Sequence, residues 1–147
     1  LSTLHPACSP DLSYTPFVDH EGQFLILTSH LSAHTVNLIN DSRATVLFIE
    51  DESRCEQIYA RRRLRFQCEA QRFAKETMDW NELIDLFAER FGQIIDTLRT
   101  LPDFELFALT PQGGQWVKGF GKAFDFRGRI HQDVNHLNPK KDSPQRP

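Results

Sequence analysis

Apolar residues recur every three or four positions along one stretch of the chain and every second position along several others. Between residues 79 and 101 the spacing is helical: Trp80, Leu83, Ile84, Phe87, Phe91, Ile94, Ile95 and Leu98 fall on one stripe. One long amphipathic helix is predicted there, opened by Asp79 and Glu82 as a capping box and stopped by Pro102. A shorter helix is predicted from Ser32 to Asn40, capped by Ser29 or Ser32, with Val36, Leu38 and Ile39 turned inward. The remainder reads as strands. Residues 12–18 and 23–28 form a hairpin across Asp19-His20-Glu21-Gly22, with Pro16 at an edge or bulge, and residues 44–49 form a buried strand. A second hairpin is predicted from residues 104–110 and 115–118 across Pro111-Gln112-Gly113-Gly114, and residues 122–126 continue the sheet. Many short strands with one long helix predict a mainly β protein with flanking helices, a small barrel with the helices outside it.

The strand predicted over residues 55–73 carries the most informative chemistry. Alternation puts Ile58, Ala60, Arg62, Leu64, Phe66 and Cys68 on one face and Tyr59, Arg61, Arg63, Arg65 and Gln67 on the other. Three guanidiniums then stand in a row, with same-face neighbours roughly 6.6–7 Å apart, able to grip a phosphate or two carboxylates. The plainer alternative is an exposed edge strand protected by charge. Lysine is the usual residue for that purpose, and Glu56 is the only acid close by in sequence.

Composition narrows the partner. With 147 residues, 39% hydrophobic content and a net charge of -3, the chain suits one soluble domain. The slight acidity opposes general nucleic-acid binding, so the arginines are read as serving a small anion. No apolar run approaches a membrane span, and no signal peptide is expected. The opening Leu1-Ser2-Thr3-Leu4 reads as the middle of a strand, so a preceding segment is expected. Cys8, Cys55 and Cys68 lack metal-type spacing and suggest a reducing, cytoplasmic setting.

Hydrolase and zinc motifs are absent. His30 and His34, four apart, allow either a shared metal site or surface and cap roles. Ser29, Ser32, His34 and Thr35 at a helix start make a candidate phosphate cradle, though serine and threonine are common caps. In the polar tail from Asn135, ordered on this reading only if something binds it, His131 and His136 flank Asp133, a pattern compatible with a haem-iron ligand or with plain polar residues.

Together, Ser13-Tyr14-Thr15-Pro16-Phe17-Val18, Thr28-Ser29-His30-Leu31-Ser32-Ala33-His34-Thr35, Ile49-Glu50-Asp51-Glu52, Gln57 to Leu64 and Val117-Lys118-Gly119-Phe120-Gly121-Lys122-Ala123 resemble the haem-utilisation proteins of the HugZ/HutZ type. These belong to the pyridoxamine-phosphate-oxidase-like superfamily. The resemblance implies an FMN-binding-type split β-barrel over residues 1–134, a polar tail over 135–147, and a homodimer with ligand sites between subunits. It further implies oxidative haem breakdown to a biliverdin-like product with iron release and an external electron donor. The alternatives are an FMN-dependent oxidoreductase and a non-catalytic haem carrier or storage protein. Arg61, Arg63 and Arg65 would anchor haem propionates, and Ser29, Ser32, His34, Thr35 and Lys118 join them as cofactor-binding candidates. Where flavin-binding members carry Ser-Arg-Lys, this chain has Ser32-Ala33-His34, which implies weaker hold on a flavin phosphate. The haem type takes its iron ligand from a tail histidine after a His-Leu pair. His136-Leu137 matches the pair, but Lys140-Lys141-Asp142 stands where the ligand is expected, which leaves a histidine beyond Pro147, His136, another group, or no haem breakdown as the alternatives, with His136 the default candidate.

Overall fold

Antiparallel pairing accounts for most of the secondary structure of the protein, a computed structural model that describes residues 1–128 and 134–136. In chain order the strands are β1 (Ser2–Leu4), β2 (Pro10–Leu12), β3 (Val18–His20), β4 (Gln23–Ser29), β5 (Arg43–Ile49), β6 (Arg63–Phe73), β7 (Phe104–Gly119), β8 (Lys122–Arg127) and β9 (Val134–His136). Helix α1 (Ala33–Asn40) follows β4, and α2 (Met78–Phe91) and α3 (Ile94–Leu98) lie between β6 and β7. Hydrogen-bonded neighbours run β2-β1-β5-β6-β7-β4-β3, with β8 and then β9 branching from β7, so the order has ends and does not close. The chain divides into two compact units, one of Leu1–Thr45 with Cys68–Thr110 and one of Val46–Gln67 with the described residues from Pro111 onward.

The first unit holds the larger core. Register pairs β4 with β7 from Phe24↔Leu109 to Ser29↔Phe104, so Leu25 and Leu27 share a face with Leu106 and Ala108. Against that face pack Trp80, Ile84 and Phe87 of α2 and Ile95 of α3. Fully burying side chains of this size contributes about 1.5–3 kcal/mol each. The helical stripe predicted over 79–101 is present but divided. Gly92, at φ +75, takes a positive-φ conformation open to glycine that ends α2, and its N–H donates to the Ala88 carbonyl at 2.8 Å. The N-cap is Thr77, whose hydroxyl accepts from the Trp80 N–H at 3.2 Å, rather than Asp79.

Helix α1 keeps its expected inward face only at Leu38. It buries His34, Thr35, Asn37 and Leu38, while Val36 and Ile39 are each 42% exposed. Polar burial is satisfied here by hydrogen bonding: Asn37 Nδ2 donates to Thr3 Oγ1 at 2.9 Å and to Asp11 Oδ2 at 3.0 Å.

The second unit corrects the predicted hairpin at residues 111–114. Those residues continue β7, which pairs with β8 from Gly113↔Arg127 to Gly119↔Lys122 with a bulge after Val117. Gly113 and Gly114 are there for close approach. A Cβ on Gly114 would lie 1.9 Å from the Arg65 carbonyl oxygen, and one on Gly113 would lie 2.8 Å from that of Phe126. Phe66 anchors this unit, edge-on to Phe48 at 6.1 Å and to Phe126 at 5.6 Å. The turn between β7 and β8 holds Gly121 at φ +68. Residues 134–136, at the start of the predicted polar tail, form β9 against β8; His131 lies outside the described residues. Among the described residues no helix is long and apolar enough to cross a membrane.

Candidate functional site

The arginine segment does not form the continuous strand that alternation predicts. Ile58–Ala60 is a single 3-10 turn, and β6 begins only at Arg63, so Arg61 stands before the strand and the row reduces to Arg63 and Arg65. Local acceptors are the reason. Arg61 Nε donates to the Glu50 carbonyl at 3.0 Å, and its Nη1 reaches Glu52 Oε1 at 3.0 Å. Arg62 Nε donates to Glu50 Oε1 at 3.0 Å, with Nη2 on the same oxygen, and the Glu50 N–H donates to the Arg62 carbonyl at 2.9 Å. The Arg62 guanidinium holds the Glu50 carboxyl below the usual carboxylate range. These contacts draw residues 50 and 62 together and close the segment between them. Glu50 and Glu52, not Glu56, are the acids that matter. Arg63 Nη1 makes one bond, to the Arg61 carbonyl at 3.1 Å, and Arg65 is exposed.

Two cavities of the second unit open beside this segment. The larger, about 590 Å³, has an apolar wall of Phe48, Ile49, Leu64 and Trp116 and cationic edges from Arg62, Arg63 and Lys118. The smaller, about 410 Å³, is lined by Cys55, Gln57 and Phe120 among others, and Glu50, Arg54, Arg62 and Lys118 line both. Lys118 Nζ lies 5.3 Å from the centroid of the Trp116 ring. Register then carries an aromatic row across three strands, Trp116↔Phe124 and Phe124↔His136. Phe124 sits 5.9 Å from Trp116 and edge-on, 5.0 Å, to the His136 imidazole. His136 Nε2 lies 3.2 Å from the Gly121 carbonyl. A carbonyl only accepts, so Nε2 carries the proton and Nδ1 of the neutral ring keeps its lone pair. An apolar wall with these cations at its edge is suited to a flat, apolar ligand bearing carboxylates. Lys118 was legible in the motif, whereas Glu50, Trp116 and Phe124 were missed; the cross-strand register that unites them has no signature in spacing alone.

The candidate phosphate cradle falls in the first unit, at the corner between β4 and α1. Its polar groups bond to one another. Thr35 Oγ1 donates to the Ser29 carbonyl at 2.6 Å, which uses its only proton; Thr28 Oγ1, 2.9 Å away, must then donate to Thr35 and accept from His34 Nε2 at 2.6 Å. The result is a directed chain from His34 through two hydroxyls. Burial pushes the His34 imidazole below its ordinary pKa, so it stays neutral. Ser29 Oγ donates to Asp103 Oδ2 at 2.5 Å. Ser32 is the N-cap of α1 without a side-chain bond to it. His30 turns elsewhere, to Glu105 Oε1 at 2.8 Å, a buried carboxylate that also takes a two-point grip from Arg72. His30 and His34 therefore have separate partners and do not converge on one site. With Asp103 and Glu105 at this corner and no cation among its candidate residues, the arrangement does not fit a flavin phosphate.

Antiparallel strands whose order does not close, with flanking helices, define the split-barrel class of proteins. The chain belongs to the pyridoxamine 5'-phosphate oxidase family, which it matches over residues 1–118. It is 39% identical over 137 residues to heme oxygenase HutZ of Vibrio cholerae, covering 93% of this chain and 78% of that protein. A crystal structure of HutZ, described as the heme storage protein of Vibrio cholerae, superposes with a TM-score of 0.70 at 37% identity, over 75% of this chain and 78% of that one. Campylobacter jejuni ChuZ superposes with a TM-score of 0.79 at 30% identity, over 95% of this chain and 56% of the longer ChuZ chain. The resemblance to the HugZ/HutZ type and the split-barrel fold are thus borne out.

Proposed function

We propose that this protein binds haem at the cavities of the second unit and opens the porphyrin oxidatively, releasing iron. One observation carries the reading: in a chain 39% identical to a heme oxygenase, an aromatic-walled cavity of about 590 Å³ is edged by Arg63 and Lys118. Arg63 and Lys118, with Arg62 beside them, receive the propionates, and Arg65 extends the row one same-face position along β6. Arg61, engaged with Glu50 and Glu52, shapes the segment instead of binding ligand. His136, with Nε2 fixed on Gly121, offers Nδ1 as the iron ligand. Bound haem would supply the iron centre that activates oxygen, with electrons from an external donor. The protein's share is to orient the ring through Trp116, to hold its carboxylates, and to exclude water from the apolar wall. A homodimer in a reducing, cytoplasmic setting accompanies this reading. Leu47 and Ile49 of β5, 49% and 47% exposed, favour a partner on that face.

The second reading, a haem carrier, is favoured by the HutZ structure described as a storage protein. Haem titration followed by turnover separates the two. A Soret shift on mixing, then its loss under reductant and oxygen with a ring-opened chromophore, is expected. Haem that binds and survives turnover selects the carrier, and no Soret change overturns both. Flavin is expected to show no binding, read as unquenched FMN fluorescence.

A further inference from the structure

Arg62 already holds a carboxylate. Glu50 Oε1 accepts from Arg62 Nε at 3.0 Å and from Nη2, while Oε2 accepts from the Arg62 backbone N–H at 3.3 Å. This is the way a guanidinium receives the carboxylate of a ligand. The two partners differ in access: the Glu50 side chain is 12% exposed and that of Arg62 67%. An incoming carboxylate can therefore reach the guanidinium while Glu50 is still seated. Glu50 is also anchored independently of its carboxylate. Its N–H donates to the Arg62 carbonyl at 2.9 Å, and its own carbonyl accepts from Arg61 Nε at 3.0 Å. Releasing the side chain leaves the backbone in place. Both residues line both cavities, next to Lys118.

We propose that Glu50 is a built-in competitor for the ligand's carboxylate: it occupies Arg62 in the free protein and yields it to a propionate of the bound molecule. Glu50 is thereby a specificity-determining residue. A ligand without carboxylates gains nothing by displacing it and meets an unfavourable negative charge at the cavity edge only if it is itself anionic. The identity of the ligand as haem rests on the function proposed above; the exchange of one carboxylate for another rests on the Glu50–Arg62 geometry.

The test compares haem with haem dimethyl ester, which lacks free carboxylates, by Soret titration. Glu50→Gln keeps the shape and one acceptor but loses the charge that makes Glu50 compete. It is expected to tighten haem about fivefold, the scale of an exposed ion pair, with the ester unchanged. The gain is expected to shrink as salt rises above 0.1 M, where screening acts over about 10 Å. Asp85→Asn removes an acid that pairs with Arg99 in the first unit and leaves the Glu50–Arg62 pair, so it is expected to change neither affinity. In an Arg62→Gln background, Glu50→Gln is expected to give no tightening, because the contested fork is gone. Haem affinity that falls or stays level in Glu50→Gln, or that rises equally for the ester, overturns the competitor while the haem reading stands. Failure of wild type and Glu50→Gln alike to bind haem overturns both. Thermal midpoints of the variants, expected within a few degrees of wild type, keep misfolding from imitating either result.

Discussion

Two regions of this molecule carry the residue types of an anion site, and their hydrogen bonds distinguish them. At the β4–α1 corner, Ser29, His34 and Thr35 are consumed in a directed chain and in a bond to Asp103. In the second unit, Arg63 and Lys118 edge a cavity with valence to spare, and Arg62 is held by an exchangeable partner. A binding site is made by groups whose hydrogen bonds are not already completed within the fold, and residue type alone does not report that. On the proposed function, the corner's polar groups act on stability and the cations of the second unit act on affinity.

The largest perturbation that breaks this contrast is Gly114→Ala. The new methyl would sit 1.9 Å from the Arg65 carbonyl oxygen, so β6 and β7 must separate where the arginine row is mounted. Overpacking of backbone against backbone is expected to cost about 3 kcal/mol or more, read from denaturant midpoints. Haem binding is expected to fall with it, although no ligand contact has been touched. A fully stable Gly114→Ala protein would mean that the strands do not meet as described.

Next in size is a pair of double variants. Arg63→Gln with Lys118→Gln is expected to weaken haem about 30-fold with little change in stability, since these charges are partly solvated and engaged in few internal bonds. Ser29→Ala with Thr35→Val is expected to do the reverse. It leaves haem affinity within about twofold and costs about 1–3 kcal/mol, because the buried Thr28 and His34 lose the end of their chain. Equal effects of both pairs on affinity would erase the distinction between the regions.

The same distinction explains what could be read without coordinates. The helical stripe from Trp80 to Leu98 was legible because eight apolar positions repeat one period, and burial of Trp80, Ile84, Phe87 and Ile95 follows it. The interruption at Gly92 was not, since a single glycine within an apolar stripe leaves the period intact. Paired glycines usually bend a chain, whereas Gly113-Gly114 here admit a neighbouring backbone. The inward face of α1 follows its apolar pattern at Leu38 and departs from it where Thr3, Asp11 and Thr28 offer partners from distant segments, making polar burial favourable. The arginines were recognised as the main chemical feature, but alternation cannot see Glu50, twelve residues before Arg62. Strand period predicts faces only while side chains ignore the backbone before them.

The smallest expected effect isolates His34, and it separates the regions by pH. Burial lowers the His34 pKa below 6.5, opposed in part by Asp11, and the hydroxyls of Thr28 and Thr35 complete its surroundings. The folded protein therefore binds fewer protons at this site than the unfolded chain does, and stability rises with pH. His34's contribution is complete above 6.5 and is lost as pH falls below 6.5 toward the lowered folded value. Glutamine at this position keeps an N–H for Thr28 but does not titrate, so His34→Gln is expected to flatten that part of the stability profile between pH 5 and 8. Denaturant midpoints across that range check it. Haem affinity at pH values where both proteins remain folded is expected to be the same in wild type and His34→Gln. A shift in haem affinity with His34→Gln, without a change in the stability profile, would move the imidazole from the scaffold into the site and invert the roles assigned to the two regions.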